Sequence, residues 1–207
     1  MLLKRKAEIL SEIMAVPLIE TSQALLRFSE RETESVYLAA CMIADSMRNG
    51  GKLLLCGNGG SAADCQHLAT EFVCRLSAKR KRKGFPALAL TTDTSFLTAF
   101  CNDYGFEDIF ARQVQALGRP GDVVLGISTG GASENVTRAI RLGRETGLGT
   151  IALTRRGGAL GRLADVSVEV DSEETAVIQN VHIAVEHVIC GLVEEMMLDE
   201  RPCLDGK

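Results

Sequence analysis

The sequence predicts an α/β fold, a five-stranded parallel sheet flanked by helices on both faces and preceded by extra N-terminal helices. Three observations support this prediction. Five short apolar runs alternate with helical patterns from residue 52 onward, which is the order typical of parallel sheets. Two of these runs lead into loops of small residues that precede an amphipathic helix. The length of 207 residues suits one domain, at about 100–200 residues per domain.

The composition indicates a soluble globular protein. Hydrophobic residues make up 46% and charged residues 24% of the chain, and the net charge of -4 argues against nucleic-acid binding. Seven scattered cysteines without a CxxC pair predict reduced, buried thiols and a cytoplasmic location. No uninterrupted apolar run approaches the roughly 20 residues that span a membrane, and no signal peptide is evident, so we expect no membrane association.

The N-terminal quarter predicts two helices. Apolar residues at helical spacing indicate helices in residues 1–28 and 30–48, with a kink or break at Pro17 and a stop at Asn49-Gly50-Gly51. These helices carry more apolar surface than a small α/β core needs. We predict that residues 1–50 contribute to a subunit interface, with simple packing on the domain as the alternative.

The remaining elements form one predicted unit, since no linker divides the chain. Strands are predicted at Lys52–Cys56, Ala87–Leu90, Val123–Ile127, Gly149–Leu153 and Val166–Val170. Helices are predicted at Ser61–Leu76, Thr94–Cys101, Gly105–Leu117, Glu134–Thr146 and Thr175–Leu198. We also predict a turn at Asn102-Asp103 and a short helical piece between the last two strands. The domain would cover residues 1–207, with the core and C-terminal helix in residues 51–198.

Two loops are candidates for phosphate binding. Residues 57–61 and 128–133 follow the first and third predicted strands, so both lie at carboxyl ends of the sheet, where α/β proteins bind ligands. Glycines let the backbone approach a ligand, and helix N-termini attract anions. The alternative is that these residues are helix caps and turns. The first loop formally fits a dinucleotide fingerprint but lacks its acidic partner, and the Lys of a nucleotide P-loop is absent.

Few ionisable residues are candidates for chemistry. His67 and Glu71 share one helix face, which suits either a metal pair or a surface ion pair. His182 and His187 lie near an apolar stripe, where a satisfied core or interface histidine is the alternative to a functional one. The basic run Lys79–Lys83 is most simply a solvated loop, with attraction of an anionic substrate as the second interpretation.

Taken together, three segments resemble the phosphoheptose isomerases, SIS-type proteins that convert sedoheptulose 7-phosphate to glycero-manno-heptose 7-phosphate. The segments are CGNGGSAADCQHLATEF, FCNDYGFEDIFARQVQALGRPGDVVLGISTGGASENV and TAVIQNVHIAVEH. The resemblance covers roughly residues 30–198. It implies a flavodoxin-like three-layer arrangement, a homotetramer whose sites a neighbouring chain completes, and an enediol mechanism at the first step of ADP-heptose or GDP-heptose biosynthesis.

The resemblance also implies roles for individual residues. Sugar-phosphate binding falls to Asn58, Gly59, Gly60, Ser61, Glu71, Asn102, Asp103, Ser128, Thr129, Gly130, Ser133 and Gln179. Glu71 and His187 would be the acid/base pair. Zinc, one per subunit, would be bound by His67, Glu71, Gln179 and His187.

Two departures from the family pattern concern the sugar more than the reaction. Gly130 replaces a hydroxyl donor, and Ala176 stands where some members have a polar residue. The competing hypothesis is a non-catalytic SIS protein, such as a partner of the bacterial replication initiator. Such proteins keep the phosphate loops without the full His/Glu/Gln/His set, so the presence of all four residues favours the enzyme.

Overall fold

The computed structural model describes residues 2–198, with side chains from residue 5 onward. The helices are α1 Leu2–Glu8, α2 Val16–Arg31, α3 Thr33–Arg48, α4 Gly60–Val73, α5 Thr94–Tyr104, α6 Ile109–Leu117, α7 Glu134–Glu145 and α8 Thr175–Leu198. The strands are β1 Leu53–Gly57, β2 Ala87–Ala89, β3 Val123–Ser128, β4 Gly149–Arg155 and β5 Val166–Val170. The predicted polar tail from Asp199, with Cys203, lies outside the described residues.

The five strands form one parallel sheet in the order β2-β1-β3-β4-β5, which confirms the predicted fold class. Strand β1 pairs with the edge strand β2 on one side and with the central β3 on the other, so the strand order reverses between β1 and β3. Open α/β sheets bind ligands at such a switch point, outside the carboxyl ends of the strands. The two candidate phosphate loops leave the sheet there.

Alternate residues of the strands face two separate cores. Leu53 and Leu55 of β1 pack in a cluster with α3, α4 and α8, whereas Leu54 and Cys56 pack with α6 and α7 on the opposite face. Both faces of the sheet are therefore buried. This burial explains why β1 is apolar throughout rather than alternating.

The N-terminal segment stays helical through Pro17, so the predicted break is wrong. A π-helical stretch, Ile9–Ala15, joins α1 to α2, and the Val16 N–H bonds the carbonyl of Ser11. The hydrogen-bond pattern then changes to α-helical at the turn where Pro17 lacks an N–H.

Much of this N-terminal helix is both apolar and exposed. Seven large apolar residues are at least 41% exposed, namely Ile9, Leu10, Ile13, Met14, Val16, Leu18 and Ile19. Two helical spans, Arg5–Arg31 and Thr175–Leu198, are long and apolar enough to cross a membrane by length and composition alone. The sequence prediction considered uninterrupted runs and missed both. Half of the apolar window in α8 is buried inside the protein, as in the core helix of a globular domain.

Two further local predictions are wrong. Asn102 and Asp103 belong to the last turn of α5, which ends before Gly105 at a φ of 98°. The chain between β4 and β5 forms turns without the predicted helix in the described structure. The described cysteines are free thiols, and four of them, Cys41, Cys56, Cys65 and Cys190, are buried as expected. The prediction of buried thiols is wrong for Cys74, which is exposed, and Cys101 is half-buried.

Candidate active site

The two loops at the sheet edge are joined by a reciprocal amide pair. Asn58 Nδ2 donates to Asn135 Oδ1 at 2.9 Å, and Asn135 Nδ2 donates to Asn58 Oδ1 at 2.9 Å. Asn135 Oδ1 also accepts the N–H of Val136 at 2.9 Å in the first turn of α7. The start of α7 is thus fixed against the β1–α4 loop.

The β3–α7 loop presents hydroxyls to a helix N-terminus. The Oγ atoms of Ser128 and Ser133 lie 3.1 Å apart, and the Gly131 N–H donates to Ser128 Oγ at 3.1 Å. Ser133 occupies the N-cap of α7, yet its side chain makes no capping bond in the described structure, so the helix-cap interpretation fails there. A Cβ at Gly130 would have no described atom within 4 Å. This open, hydroxyl-lined end of a helix suits a phosphate group.

The β1–α4 loop is tightly packed against α8. Gly59 adopts a φ of 56° at the N-cap of α4, and Ser61 is buried behind it. A Cβ at Gly60 would lie 2.1 Å from Gln179 Nε2, so a larger residue there would require the Gln179 side chain to move. Gln179 Nε2 in turn donates to Asp64 Oδ2 at 3.1 Å. Gln179 is therefore held at the first turns of α4.

His67, Glu71 and His187 form a cluster between α4 and α8. The two Nε2 atoms of His67 and His187 are 2.8 Å apart, a hydrogen-bond distance, and their rings meet edge to face. Glu71 Oε1 lies 3.9 Å from His67 Nε2, one helical turn along α4. One potential ligand atom from each residue falls within 4.8 Å of the others. The proposed acid/base residues thus lie side by side.

The donor chemistry of this cluster fits zinc. Two imidazoles and a carboxylate are common zinc ligands. Glu71 Oε2 is buried and has no hydrogen-bond partner among the described residues, which leaves it available to a metal or a substrate proton. Gln179 is the fourth ligand implied by the resemblance. Its side chain is hydrogen-bonded to Asp64, which lies one turn before His67 on α4.

The helix α8 also contains two buried ionisable residues. His182 and Glu186 are fully buried, and neither side chain has a hydrogen-bond partner in the described part of the chain. His182 is a core residue as predicted, and an interaction with the backbone of Thr154 partly opposes the effect of burial on its pKa. Burial lowers the pKa of His182 to about 4. Burial, with the nearby Asp64 charge, raises the pKa of Glu186 from 4.5 to about 9, so both residues are uncharged at neutral pH.

The protonated Glu186 predicts a pH-dependent stability. The folded chain keeps a proton that the unfolded chain releases above a pKa of 4.5, up to the folded value of about 9. The free energy of unfolding therefore falls as pH rises through this window, by up to about 1.4 kcal/mol per pH unit. Glu186→Gln removes the ionisable proton and is expected to flatten this decline in urea unfolding at several pH values. Exposed Glu145→Gln is the control, and equal slopes for wild type and Glu186→Gln would contradict the prediction.

Not every residue named from the sequence comes near the cluster. Asn102 and Asp103 are exposed, and Asn102 Nδ2 donates a hydrogen bond to Asp103 Oδ1 at 2.8 Å. A cavity of about 370 Å³ beside Asn58 is lined by earlier residues of α5 and not by these two. Sequence reasoning also missed Asn135 and Asp64, which hold the predicted site residues in place. Asp64 offered a signal, since it lies one turn before His67 on the same helix. The Asn58 contact of Asn135 had no local signal.

Comparisons with known proteins are consistent with this geometry. Residues 19–155 match the model of the SIS domain family. The phosphoheptose isomerase of Roseiflexus sp. (strain RS-1) is 53% identical over 175 residues, covering 84% of this chain and 88% of that protein. The phosphoheptose isomerase of Aquifex aeolicus is 50% identical over 181 residues, covering 87% of this chain and 94% of that protein.

Solved structures give the same result. The phosphoheptose isomerase structure from Neisseria gonorrhoeae matches with a TM-score of 0.83 at 41% identity, over 90% of this chain and 99% of that one. The structure from Francisella tularensis matches with a TM-score of 0.84 at 34% identity, over 90% and 98%. The fold is that of an SIS domain, and the chain is a sugar-phosphate isomerase. Within that class, the chain belongs to the phosphoheptose isomerase family.

Proposed function

We propose that this enzyme isomerises sedoheptulose 7-phosphate to D-glycero-D-manno-heptose 7-phosphate through an enediol, as the first step of ADP-heptose or GDP-heptose biosynthesis. The observation that carries the proposal is the cluster of Glu71 and His187, in a chain about half identical to phosphoheptose isomerases. Aldose–ketose isomerisation needs one proton-transfer group near each of two adjacent carbons. The cluster supplies a carboxylate and an imidazole.

In this mechanism the two loops bind the substrate phosphate. Ser128, Thr129, Gly130 and Ser133 would bind its oxygens at the N-terminus of α7, and Asn58 to Ser61 would line the sugar-phosphate site. One residue of the Glu71 and His187 pair then removes a proton from the carbon beside the carbonyl, which gives the enediol. The proton returns to the neighbouring carbon. A hydrogen bond between the Nε2 atoms of His67 and His187, which lie 2.8 Å apart, would orient the ring of His187 for this role.

We further propose one zinc ion per subunit, bound by His67, Glu71, Gln179 and His187. A bound zinc would supply Lewis acidity that polarises the carbonyl and enediol oxygens. Glu71 and His187 would then serve both as metal ligands and in proton transfer, so an inhibitory or structural zinc is the alternative. Isothermal titration of the protein with zinc, and of His67→Ala beside it, measures the stoichiometry.

We also propose a homotetramer in the cytoplasm, and the exposed apolar face of residues 9–19 supports contact between subunits. A patch of this kind is typical of a subunit interface rather than of a free surface. Asn102 and Asp103, which lie outside the cluster within one chain, would reach substrate hydroxyls in such an assembly. Light scattering of wild type and of Leu18→Glu tests it, since a monomeric wild type would contradict the proposal.

The activity is tested with purified protein and sedoheptulose 7-phosphate, following the aldose 7-phosphate by NMR. Parallel samples with zinc and with chelator show whether the metal assists or inhibits the reaction. Turnover in any sample establishes the proposed reaction. Absence of turnover in every sample, from folded protein that still binds the sugar phosphate, would instead favour a different substrate or a non-catalytic SIS protein.

The phosphate role of the β3–α7 loop predicts a substrate-affinity defect for Gly131→Ala. Gly131 has a φ of 67°, and a Cβ there would approach Gly158 Cα to 2.8 Å, so the loop must shift. We expect KM for the sugar phosphate to rise about tenfold or more, since two or more hydrogen bonds to a charged group weaken. Gly157→Ala also replaces a glycine of positive φ, in the neighbouring loop, but its Cβ meets no described atom within 4 Å. An unchanged KM in Gly131→Ala would contradict the role of the loop.

A further inference from the structure

The basic loop after α4 contains an arginine that is not solvated. The side chain of Arg82 is 1% exposed, so the sequence interpretation of Lys79–Lys83 as a solvated loop is wrong at this position. Its guanidinium group donates to three backbone carbonyls and to one carboxylate, and it stacks over the ring of Phe85 at 4.1 Å. These contacts hold the Arg82 side chain in one position within the fold.

Arg82 completes the C-terminal end of α4. The last carbonyls of a helix lack an intrahelical N–H and need other partners. Arg82 Nη2 donates to the carbonyl of Glu71 at 2.7 Å, and Nη1 donates to that of Phe72 at 2.8 Å. A positive charge is also favourable at this end of the helix dipole. Arg82 therefore holds the backbone of Glu71 itself.

The other side of the guanidinium contacts α8. Arg82 Nε donates to Glu194 Oε1 at 2.6 Å, and the Glu194 side chain is 2% exposed. Glu194 lies seven positions after His187, two turns along the same face of the helix. One buried side chain thus connects the backbone of Glu71 to the helix that carries His187.

We propose that Arg82 is a positioning residue for the Glu71 and His187 pair. This inference rests on the proposed catalytic roles of those two residues. Arg82 acts through α4 and α8 and does not touch the substrate. Glu71 lies in the last turn of α4, where a helix frays unless its carbonyls are bonded, and fraying would displace its carboxyl group from His187. The β1–α4 loop lies at the opposite end of α4, and the β3–α7 loop precedes a different helix, so we expect both loops to be unaffected.

The expected signature is a loss of kcat with little change in KM. A displacement of about 1 Å costs on the order of 10²-fold in rate, so Arg82→Met is expected to lower kcat by about tenfold to 100-fold. KM for the sugar phosphate should stay within about threefold, because the phosphate loops set it. Arg82→Lys keeps a cation that reaches one carbonyl and should recover part of kcat.

Arg80→Gln is the matched control. Arg80 belongs to the same loop and pairs with the neighbouring Glu195 of α8, but that pair is exposed. Its removal deletes one arginine and one contact between this loop and α8, and kcat should stay within about twofold of wild type. Amide exchange of Cys74, whose N–H bonds the Thr70 carbonyl at the end of α4, gives a second readout. Exchange should accelerate in Arg82→Met and not in Arg80→Gln.

Each outcome decides the proposal. A folded Arg82→Met with wild-type kcat would overturn it, as would a rise in KM at constant kcat. If Arg82→Met does not fold, Arg82→Lys decides in its place. Wild-type kcat in Arg82→Lys would show that the several N–H donors of the guanidinium group are not needed to position Glu71 and His187. If wild type and Arg80→Gln show no turnover either, the proposed function fails, while the exchange data still report whether Arg82 holds the end of α4.

Discussion

Glu71→Gln is expected to lower kcat by about 10²- to 10⁴-fold while leaving phosphate binding largely intact. Glutamine keeps the size of the side chain and its oxygen, but it cannot accept and return a proton. The Glu71 carboxyl group is mostly buried, and its Oε2 has no hydrogen-bond partner in the described chain. Among the described residues, the cluster holds no second carboxylate that could replace it. Turnover is measured by NMR, and binding of inorganic phosphate by calorimetry.

The control for this variant is Glu145→Gln, an exposed carboxylate on α7 whose loss should not change either measurement. Retention of near-normal kcat in Glu71→Gln would remove Glu71 from the mechanism. Loss of phosphate binding together with turnover would show instead that the substitution disturbs the loops at the other end of α4.

His187→Ala should cause a second loss of similar size, about 10²- to 10⁴-fold in kcat. The imidazole is the other member of the acid/base pair, and its Nε2 lies 2.8 Å from that of His67. Removing it also removes one of three clustered donors, so zinc binding should weaken in the same variant. Both quantities are measurable on one preparation, turnover by NMR and zinc by calorimetry.

His67→Ala separates the two roles, because it removes a zinc donor without removing either proposed proton-transfer residue. With saturating zinc, His67→Ala should recover more activity than His187→Ala. Restoration of His187→Ala to wild-type turnover by zinc alone would contradict proton transfer by His187 and leave it a metal ligand.

Several features of the site were readable from local sequence. The apolar runs at residues 52–56 and 123–127 predicted two strands, which the structure confirms, since these signals depend on neighbours in sequence. The small-residue loops after them predicted two anion sites, which stay predictions. The spacing of His67 and Glu71 predicted a shared helix face for the same reason. The resemblance to phosphoheptose isomerases came from the joint spacing of such segments.

The contacts between residues distant in sequence could not be predicted from local sequence. His187 reaches His67 across 120 positions, and Asn58 meets Asn135 across 77. Helical periodicity shows which face of α8 is apolar but not which helix packs on it, so His182 and His187 looked alike from sequence. Only the tertiary structure separates the buried His182 from the clustered His187.

The sequence by itself therefore determined the fold class and most of the elements, because hydrophobic periodicity and turn chemistry act over a few residues. The resemblance of three segments to known proteins indicated the family. The tertiary structure decided which side chains meet and which charges are buried. Arg82 illustrates the difference, since it sits in a basic run typical of a solvated loop, yet it is buried between α4 and α8. Burial of a charge depends on carbonyl and carboxylate partners that only the folded chain supplies.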